Sequence, residues 1–184
     1  LVEGLPHAVV DTLSEFGAQW GTAETFELGR IANAYPPILK THDASGVRVD
    51  QIEFHPAWHA LARRSVAAGL SCSMWDAGGQ EADVRAVARA ARLYMAAQVE
   101  AGHLGVMTTT NAGVAALGHA PPLADRWLPL IRSRRYDPSV RPVSDKAGLT
   151  LGMGLAEKQG GSDLAANTTH AAEAGDRMWR LTGH

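Results

Sequence analysis

The sequence has one cysteine, little net charge and no long apolar run, and each shortage excludes a class of protein. Its 184 residues include one cysteine, Cys72, so neither an intrachain disulfide nor a cysteine-rich zinc site can form. The 17 basic residues against 19 acidic ones give a net charge of −2, without the basic surplus of a nucleic-acid-binding domain. No apolar run approaches the roughly 20 residues that cross a bilayer, so we expect no membrane partner. A lone cysteine is typical of a cytoplasmic protein, which is the location we expect.

What remains is the composition of a folded chain. Hydrophobic residues make up 46% and charged residues 20%, which argues against intrinsic disorder. The chain begins at Leu1 and stops at His184, directly after the alternating stretch Met178–Leu181. We therefore expect it to be a piece of a longer protein.

The first two-thirds of the chain predict six helices. Thr22 is a good N-cap for the second helix, and Pro56 suits the first turn of the third. The polar segment Thr41–Asp50 predicts a surface loop, and Pro129 predicts a kink in the last helix. The predicted helices span about residues 7–18, 22–33, 56–68, 81–100, 103–117 and 123–134.

The pattern changes near Ala147. The uncharged segment Leu149–Leu155 predicts a buried strand, and Ala174–Asp176 predicts the turn of a hairpin that leads into Trp179. The sequence thus predicts a mainly α fold, with a helical domain over 1–146 and an incomplete β domain over 147–184.

The segment Glu157–Asp163 is the best local candidate for chemistry. Its adjacent glycines, Gly160 and Gly161, permit a ligand to approach the backbone closely. Amides and a serine hydroxyl at such a turn can hold a phosphate or a carbonyl oxygen. The alternative is a plain surface turn between two strands. Neither a Walker loop nor a dinucleotide fingerprint is present.

Two histidines and one thiol are weaker candidates. His55 and His59 have the i, i+4 spacing of metal ligands, but the alternative is a packed helix start with Trp58 in the core. We expect no metal. Cys72 is expected to be a small buried thiol rather than a nucleophile.

Two further groups leave alternatives open. The run Met107–Thr110 predicts either helix packing or an irregular, ligand-facing turn. The basic cluster is either a solvated helix end or a phosphate contact. It consists of Arg132, Arg134, Arg135 and Arg141.

The order of these features resembles the acyl-CoA dehydrogenases, and most closely their AidB-like branch, named for the adaptive response to alkylation. The resemblance covers nearly the whole chain, and Phe54–His59 and Glu157–Asp163 are specific together although neither suffices alone. The other matching blocks are Gly21–Arg30, Ala32–Asn33 with Pro36–Pro37, Ala90–Arg92, Gln98–Gly102, Trp127–Leu130, Gly152–Gly154 and Asn167–Thr169.

The resemblance implies an FAD site. It implies that backbone groups of Met153, Leu155 and Ala156 contact the isoalloxazine, and that the Ser162 hydroxyl contacts the phosphates. The implied cofactor-binding residues are Met153, Gly154, Leu155, Ala156, Glu157, Lys158, Gln159, Gly160, Gly161 and Ser162.

One position departs from the family pattern. Relatives usually have threonine where this chain has Ala156, and the lost hydroxyl removes a hydrogen bond near the reactive flavin nitrogen. A hydrogen bond of this kind contributes roughly 0.5–1.5 kcal/mol. We expect weaker flavin binding or an altered redox potential.

The resemblance also implies a reaction, the α,β-dehydrogenation of an acyl-CoA thioester with hydride transfer to flavin N5. Short or branched acyl-CoAs are the suspected substrates, and a homotetramer is the implied assembly. The catalytic base of the family is a glutamate in a C-terminal helical bundle, so no catalytic residue is expected here and Glu157 is not the base. The alternative is a flavoprotein with vestigial dehydrogenase activity that protects DNA from alkylation through a C-terminal part outside this chain.

Overall fold

The structure is a computed structural model that describes residues 4–76, 78–79, 81–176 and 178–184. The chain divides into two compact units, Leu1–Gly152 and Met153–His184. The predicted domains, 1–146 and 147–184, stay a prediction.

Six α-helices within the described residues build the first unit, as the sequence predicts. Thr22 caps α2, since its Oγ1 accepts a hydrogen bond from the Thr25 amide at 3.2 Å. The fourth helix begins later than the predicted residue 81, because the residues before it form single turns such as Val84 N–H to Glu81 O. The helices are α1 (His7–Trp20), α2 (Ala23–Ala34), α3 (Pro56–Ala67), α4 (Arg85–Ala97), α5 (Leu104–Leu117) and α6 (Pro121–Ile131). None of these helices is long and apolar enough to cross a membrane.

The predicted surface loop over Thr41–Asp50 is correct only for residues 43–47, which form an exposed turn, because both ends of the predicted segment lie in strands. Strands β1 (Ile38–His42) and β2 (Arg48–Glu53) pair there as an antiparallel hairpin. Asp43 closes the turn, because its Oδ1 accepts the amides of Ser45 and Val47 at 2.8 and 3.0 Å. Strand β1 is exposed throughout, and the half-buried positions of β2 are Val49 and Gln51, one apolar and one polar. The hairpin therefore lacks the alternation of apolar and polar residues that reveals a half-buried strand.

The hairpin that the sequence predicts around Ala174–Asp176 is confirmed. Strands β3 (His170–Glu173) and β4 (Trp179–Thr182) pair antiparallel in the second unit. Gly175, with φ of +81°, provides the left-handed turn residue that only glycine adopts at no cost.

The predicted buried strand over Leu149–Leu155 is wrong. The segment has no regular secondary structure, and Gly152 to Leu155 is exposed. Its first residues use their backbone groups elsewhere, since the Leu149 amide donates to Leu130 O at 3.4 Å and the Leu151 amide to Thr110 Oγ1 at 2.9 Å. A strand needs those same groups for a neighbouring strand.

The core of the first unit lies between the helices. One apolar cluster includes Trp20, Leu61 and Met107, and another surrounds Cys72 and Ile131. Cys72 is a buried free thiol, as predicted.

A chain of buried hydrogen bonds joins α3 to the start of α5. The His103 Nδ1–H donates to Glu100 Oε2 at 2.7 Å, and the Ser65 hydroxyl donates to His103 Nε2 at 2.8 Å. The amides of Gly102 and His103 also donate to the Glu100 carboxylate, at 2.5 and 2.9 Å. The ring of Trp20 stacks on the imidazole with centroids 5.8 Å apart. The network therefore fixes three helices around one histidine.

Burial sets the charge state of this network. Burial lowers the pKa of His103 below its ordinary 6.5, against the opposing effect of the Glu100 hydrogen bond and charge. Burial also raises the pKa of Glu100, but hydrogen bonds from His103 and Gly102 outweigh it and leave that pKa below its ordinary value. His103 is thus neutral and Glu100 ionised near neutral pH.

We predict that the free energy of unfolding falls as the pH drops below 6.5, the ordinary pKa of histidine. Below pH 6.5 the unfolded chain binds a proton at His103 that the folded chain does not bind. The stabilisation is therefore complete above that pH and is lost below it. Denaturant unfolding at about pH 7.5 and about pH 5.5 measures the difference. His103→Gln reduces it, whereas the exposed control His119→Gln keeps it. Equal pH dependence in all three proteins would contradict the assignment.

Candidate functional site

The segment predicted to bind flavin, Met153–Ser162, lies entirely in the second unit and is folded as an irregular loop. The apolar side chains of Met153 and Leu155 are 50% and 56% exposed. Gly160 is buried, whereas its neighbours Gly161 and Ser162 are exposed. The loop therefore presents most of its length outward.

The carboxylate of Glu157 holds this loop together through hydrogen bonds to three other residues. Its Oε2 accepts the Thr168 amide at 2.9 Å and Gln159 Nε2 at 2.5 Å, and its Oε1 accepts the Thr169 amide at 3.0 Å. Hydrogen bonding from Thr169 and Thr168 lowers the pKa of Glu157 to about 2. A carboxylate so fully occupied and so acidic shapes the loop and is unsuited to remove a proton from a carbon acid.

Two further contacts close the turn. The backbones of Glu157 and Gly160 bond reciprocally, with N–H to O distances of 2.6 and 3.2 Å. Asn167 Nδ2 donates to Leu155 O at 2.7 Å. These hydrogen bonds use backbone and side-chain groups within the turn. Other donors of the loop have no partner among the described residues.

The donors of the loop that remain unbonded could bind a cofactor. Among the hydrogen bonds between described residues, none uses the amides of Met153, Leu155, Ala156 or Gly161, and none uses the Ser162 hydroxyl. These are unengaged donors on an exposed loop, and they suit the carbonyl oxygens of a flavin ring and the oxygens of a pyrophosphate.

The two glycines of the loop differ in what surrounds them. A Cβ at Gly160 would lie 2.5 Å from Asn167 Oδ1 and 2.8 Å from Asp163 O, so the chain itself occupies that space. A Cβ at Gly161 would meet only the Ala156 Cβ, at 3.9 Å. Gly160 is therefore required by the fold of the loop, whereas Gly161 leaves an open approach to the backbone.

The two candidate metal ligands have separate structural partners. His55 caps α3, since its Nδ1 accepts the Ala57 amide at 3.1 Å, and His59 Nδ1 lies 2.6 Å from the Tyr136 hydroxyl. Burial raises the pKa of Tyr136 to about 12, so the phenol keeps its proton. Trp58 is partly buried and stacks on Phe54 with centroids 4.0 Å apart. The described residues contain no group of three or more histidine, cysteine or acidic side chains that could hold a metal ion.

The basic cluster is partly neutralised. Arg134 forms an ion pair with Asp76, which leaves Arg132, Arg135 and Arg141 as the members without an ion pair among the described residues.

The threonine run has a role that the sequence did not settle. Thr109 and Thr110 bond the backbone of Leu151, just before the flavin segment. Asn167 was also missed as a loop-closing residue. No local signal identifies either contact, because each joins residues that are distant in sequence.

The contrast between the glycines gives a prediction about the loop itself. Gly160→Ala forces the turn open, at a cost of roughly 1–3 kcal/mol typical of overpacking. The amides of Thr168 and Thr169 then exchange hydrogen faster, because Glu157 no longer holds them. Gly161→Ala is the matched control and leaves their exchange unchanged. Equal effects of the two substitutions would show that the space around these glycines is assigned wrongly.

Comparison with known proteins identifies the family of the chain. Residues 4–138 match the family model of the adaptive response protein AidB N-terminal domain. The chain is 44% identical over 175 residues to the Escherichia coli (strain K12) protein named "Putative acyl-CoA dehydrogenase AidB", across 95% of this chain and 32% of that protein.

Solved structures share the fold. Caenorhabditis elegans ACDH-11 in complex with C11-CoA superposes with a TM-score of 0.79 at 26% identity, over 99% of this chain and 30% of that one. The apo form of Bd2924 superposes with a TM-score of 0.77 at 21% identity, over 97% of this chain and 35% of that one. The predicted fold class, a helical domain of the acyl-CoA dehydrogenase type followed by the first strands of a β domain, is confirmed. The chain spans about a third of the length of these relatives. It belongs to the AidB N-terminal domain family, within the acyl-CoA dehydrogenase-like proteins.

Proposed function

We propose that the chain is the N-terminal part of an FAD-dependent acyl-CoA dehydrogenase-like oxidoreductase, and that Met153–Ser162 binds the flavin. The observation that carries the proposal is the set of unengaged donors on this loop, in a chain whose family is that of AidB. We further propose that the full-length protein is a homotetramer of the cytoplasm, where the free thiol of Cys72 stays reduced.

Several residues of the loop have distinct tasks in this proposal. Backbone groups of Met153, Leu155 and Ala156 contact the flavin ring, and the Gly161 amide and Ser162 hydroxyl donate to the phosphates. Glu157 holds the loop in shape through its bonds to the amides of Thr168 and Thr169. When bound, FAD would supply the redox chemistry as the acceptor of a hydride.

The substrate is proposed to be an acyl-CoA thioester. Support comes from ACDH-11, a structural relative at 26% identity that was crystallised with C11-CoA. Within this chain we assign no base, so removal of the α-proton falls to the part of the full-length protein outside it. The chain alone is expected to be inactive.

The alternative, protection of DNA from alkylation, finds little support in the described residues. The only basic cluster contributes three arginines without an ion-pair partner there, and the net charge is −2. DNA binding through another part of the full-length protein is a competing outcome of the following experiment.

The test is the visible absorbance spectrum of the purified full-length protein, before and after anaerobic addition of straight and branched acyl-CoAs. We predict oxidised flavin bands that bleach with at least one thioester. Ser162→Ala weakens FAD binding about tenfold, since hydrogen bonds to charged groups are the strong ones. The exposed Ser144→Ala is the control and leaves FAD affinity unchanged.

Two results contradict the proposal in different ways. Flavin bands that persist with every thioester would contradict the dehydrogenase activity and favour a binding role such as DNA protection. A protein without flavin would contradict the cofactor site itself.

The alanine at 156 gives a second prediction. Ala156→Thr restores the hydroxyl usual in relatives and tightens FAD binding roughly threefold to tenfold, as expected for one added hydrogen bond. Titration with FAD and measurement of the flavin reduction potential test it, with the exposed Ala165→Thr as control. Unchanged affinity and potential in Ala156→Thr would show that the hydroxyl has no flavin partner here.

A further inference from the structure

The hydroxyl of Thr110 connects α5 to the chain just before the flavin segment. Thr110 is fully buried, and its Oγ1–H donates to Val106 O at 2.7 Å while the oxygen accepts the Leu151 amide at 2.9 Å. Thr109 Oγ1 lies 2.9 Å from the carbonyl oxygen of Leu151. Both backbone groups of Leu151 are thereby bonded to adjacent threonines of one helix.

The side chain of Leu151 is held at the same place. It packs against the apolar cluster that includes Val114 and Ile131. A Cβ at Gly113 would lie 2.9 Å from Leu151 Cδ1, so the absence of a side chain at Gly113 makes room for the leucine. Polar and apolar contacts therefore fix Leu151 on one face of α5.

The next residues carry no such anchor. The amides of Gly152 and Met153 use no hydrogen-bond acceptor among the described residues, and both residues are exposed. Two residues of chain span at most about 7 Å, so Met153 starts within that distance of the anchored residue. Because only Gly152 separates Leu151 from Met153, the contacts that hold Leu151 also limit where the flavin segment can begin.

We propose that Thr110 is a positioning residue for the flavin site, which it reaches through the Leu151 backbone without touching the cofactor. The inference rests on the proposed function, because it requires that Met153–Ser162 binds FAD. It assigns a functional task to the threonine run whose alternatives the sequence leaves open.

Valine tests the hydroxyl without a change in side-chain shape. Thr110→Val in the full-length protein leaves the partly buried Leu151 amide without its acceptor, which a native structure avoids by shifting the chain. We expect about tenfold weaker FAD binding and a shifted flavin reduction potential. Thr110→Ser keeps the hydroxyl and restores both to within about twofold of the wild type. The exposed neighbour Thr108→Val is the control and matches the wild type.

A glycine pair in the same helix provides an independent test that leaves Thr110 intact. Gly113→Ala pushes Leu151 from its place and weakens FAD binding several-fold. Gly105→Ala adds the same methyl group where no atom lies within 4 Å, and it leaves FAD binding unchanged. Alanine is the better helix former at both positions, so neither variant is expected to unfold α5.

The outcomes separate the inference from the proposed function. A wild-type protein that binds no FAD contradicts the proposed function and the inference together. A wild-type protein that binds FAD, with Thr110→Val and Gly113→Ala equal to it in affinity and potential, overturns the inference alone. Loss of FAD affinity in both variants, with recovery in Thr110→Ser, supports it.

Discussion

The carboxylate of Glu157 is the interaction on which the shape of the candidate site depends. It gathers two backbone amides, from Thr168 and Thr169, and so folds the chain after the loop back against the loop. These bonds fix the fold of the loop and leave the amides of Met153, Leu155, Ala156 and Gly161 without an acceptor among the described residues. The acidic side chain in this candidate flavin loop is therefore explained by architecture, without a role in proton transfer. Its low pKa, about 2, keeps the arrangement intact over the whole physiological range of pH.

Polar contacts hold the helical unit together where its elements meet: the Ser65–His103 hydrogen bond joins α3 to the start of α5, and Thr110 joins α5 to Leu151. Buried polar groups of this kind are costly when they lose a partner, so they favour a single arrangement of the helices.

The sequence predicted the helices because their signals are local. Thr22 and Pro56 mark helix starts, and apolar residues recur with the helical period. It missed the hairpin over Ile38–Glu53, since a mostly exposed hairpin carries no clear alternation of apolar and polar residues. It also predicted a strand over Leu149–Leu155, where an uncharged run suggested burial. Apolar composition could not reveal that the backbone of Leu151 is already bonded to a helix.

The motif predicted where the candidate site lies. It did not predict which residues of the loop are enclosed by the chain and which are open. The resemblance to the acyl-CoA dehydrogenases located Met153–Ser162, and adjacent glycines suggested a close approach to the backbone. Gly160 and Gly161 are equivalent in sequence, and only the structure shows that one is enclosed by Asn167 and the other is open.

The central claim is that this loop, and not a part of the helical unit, receives the flavin. Hydrogen exchange of the full-length protein with and without added FAD tests it most directly, because bound cofactor shields the amides that it contacts. The account predicts slower exchange in the peptide that contains Met153–Ser162, with little change in α1 to α3. FAD binding that leaves the exchange of this peptide unchanged would contradict it.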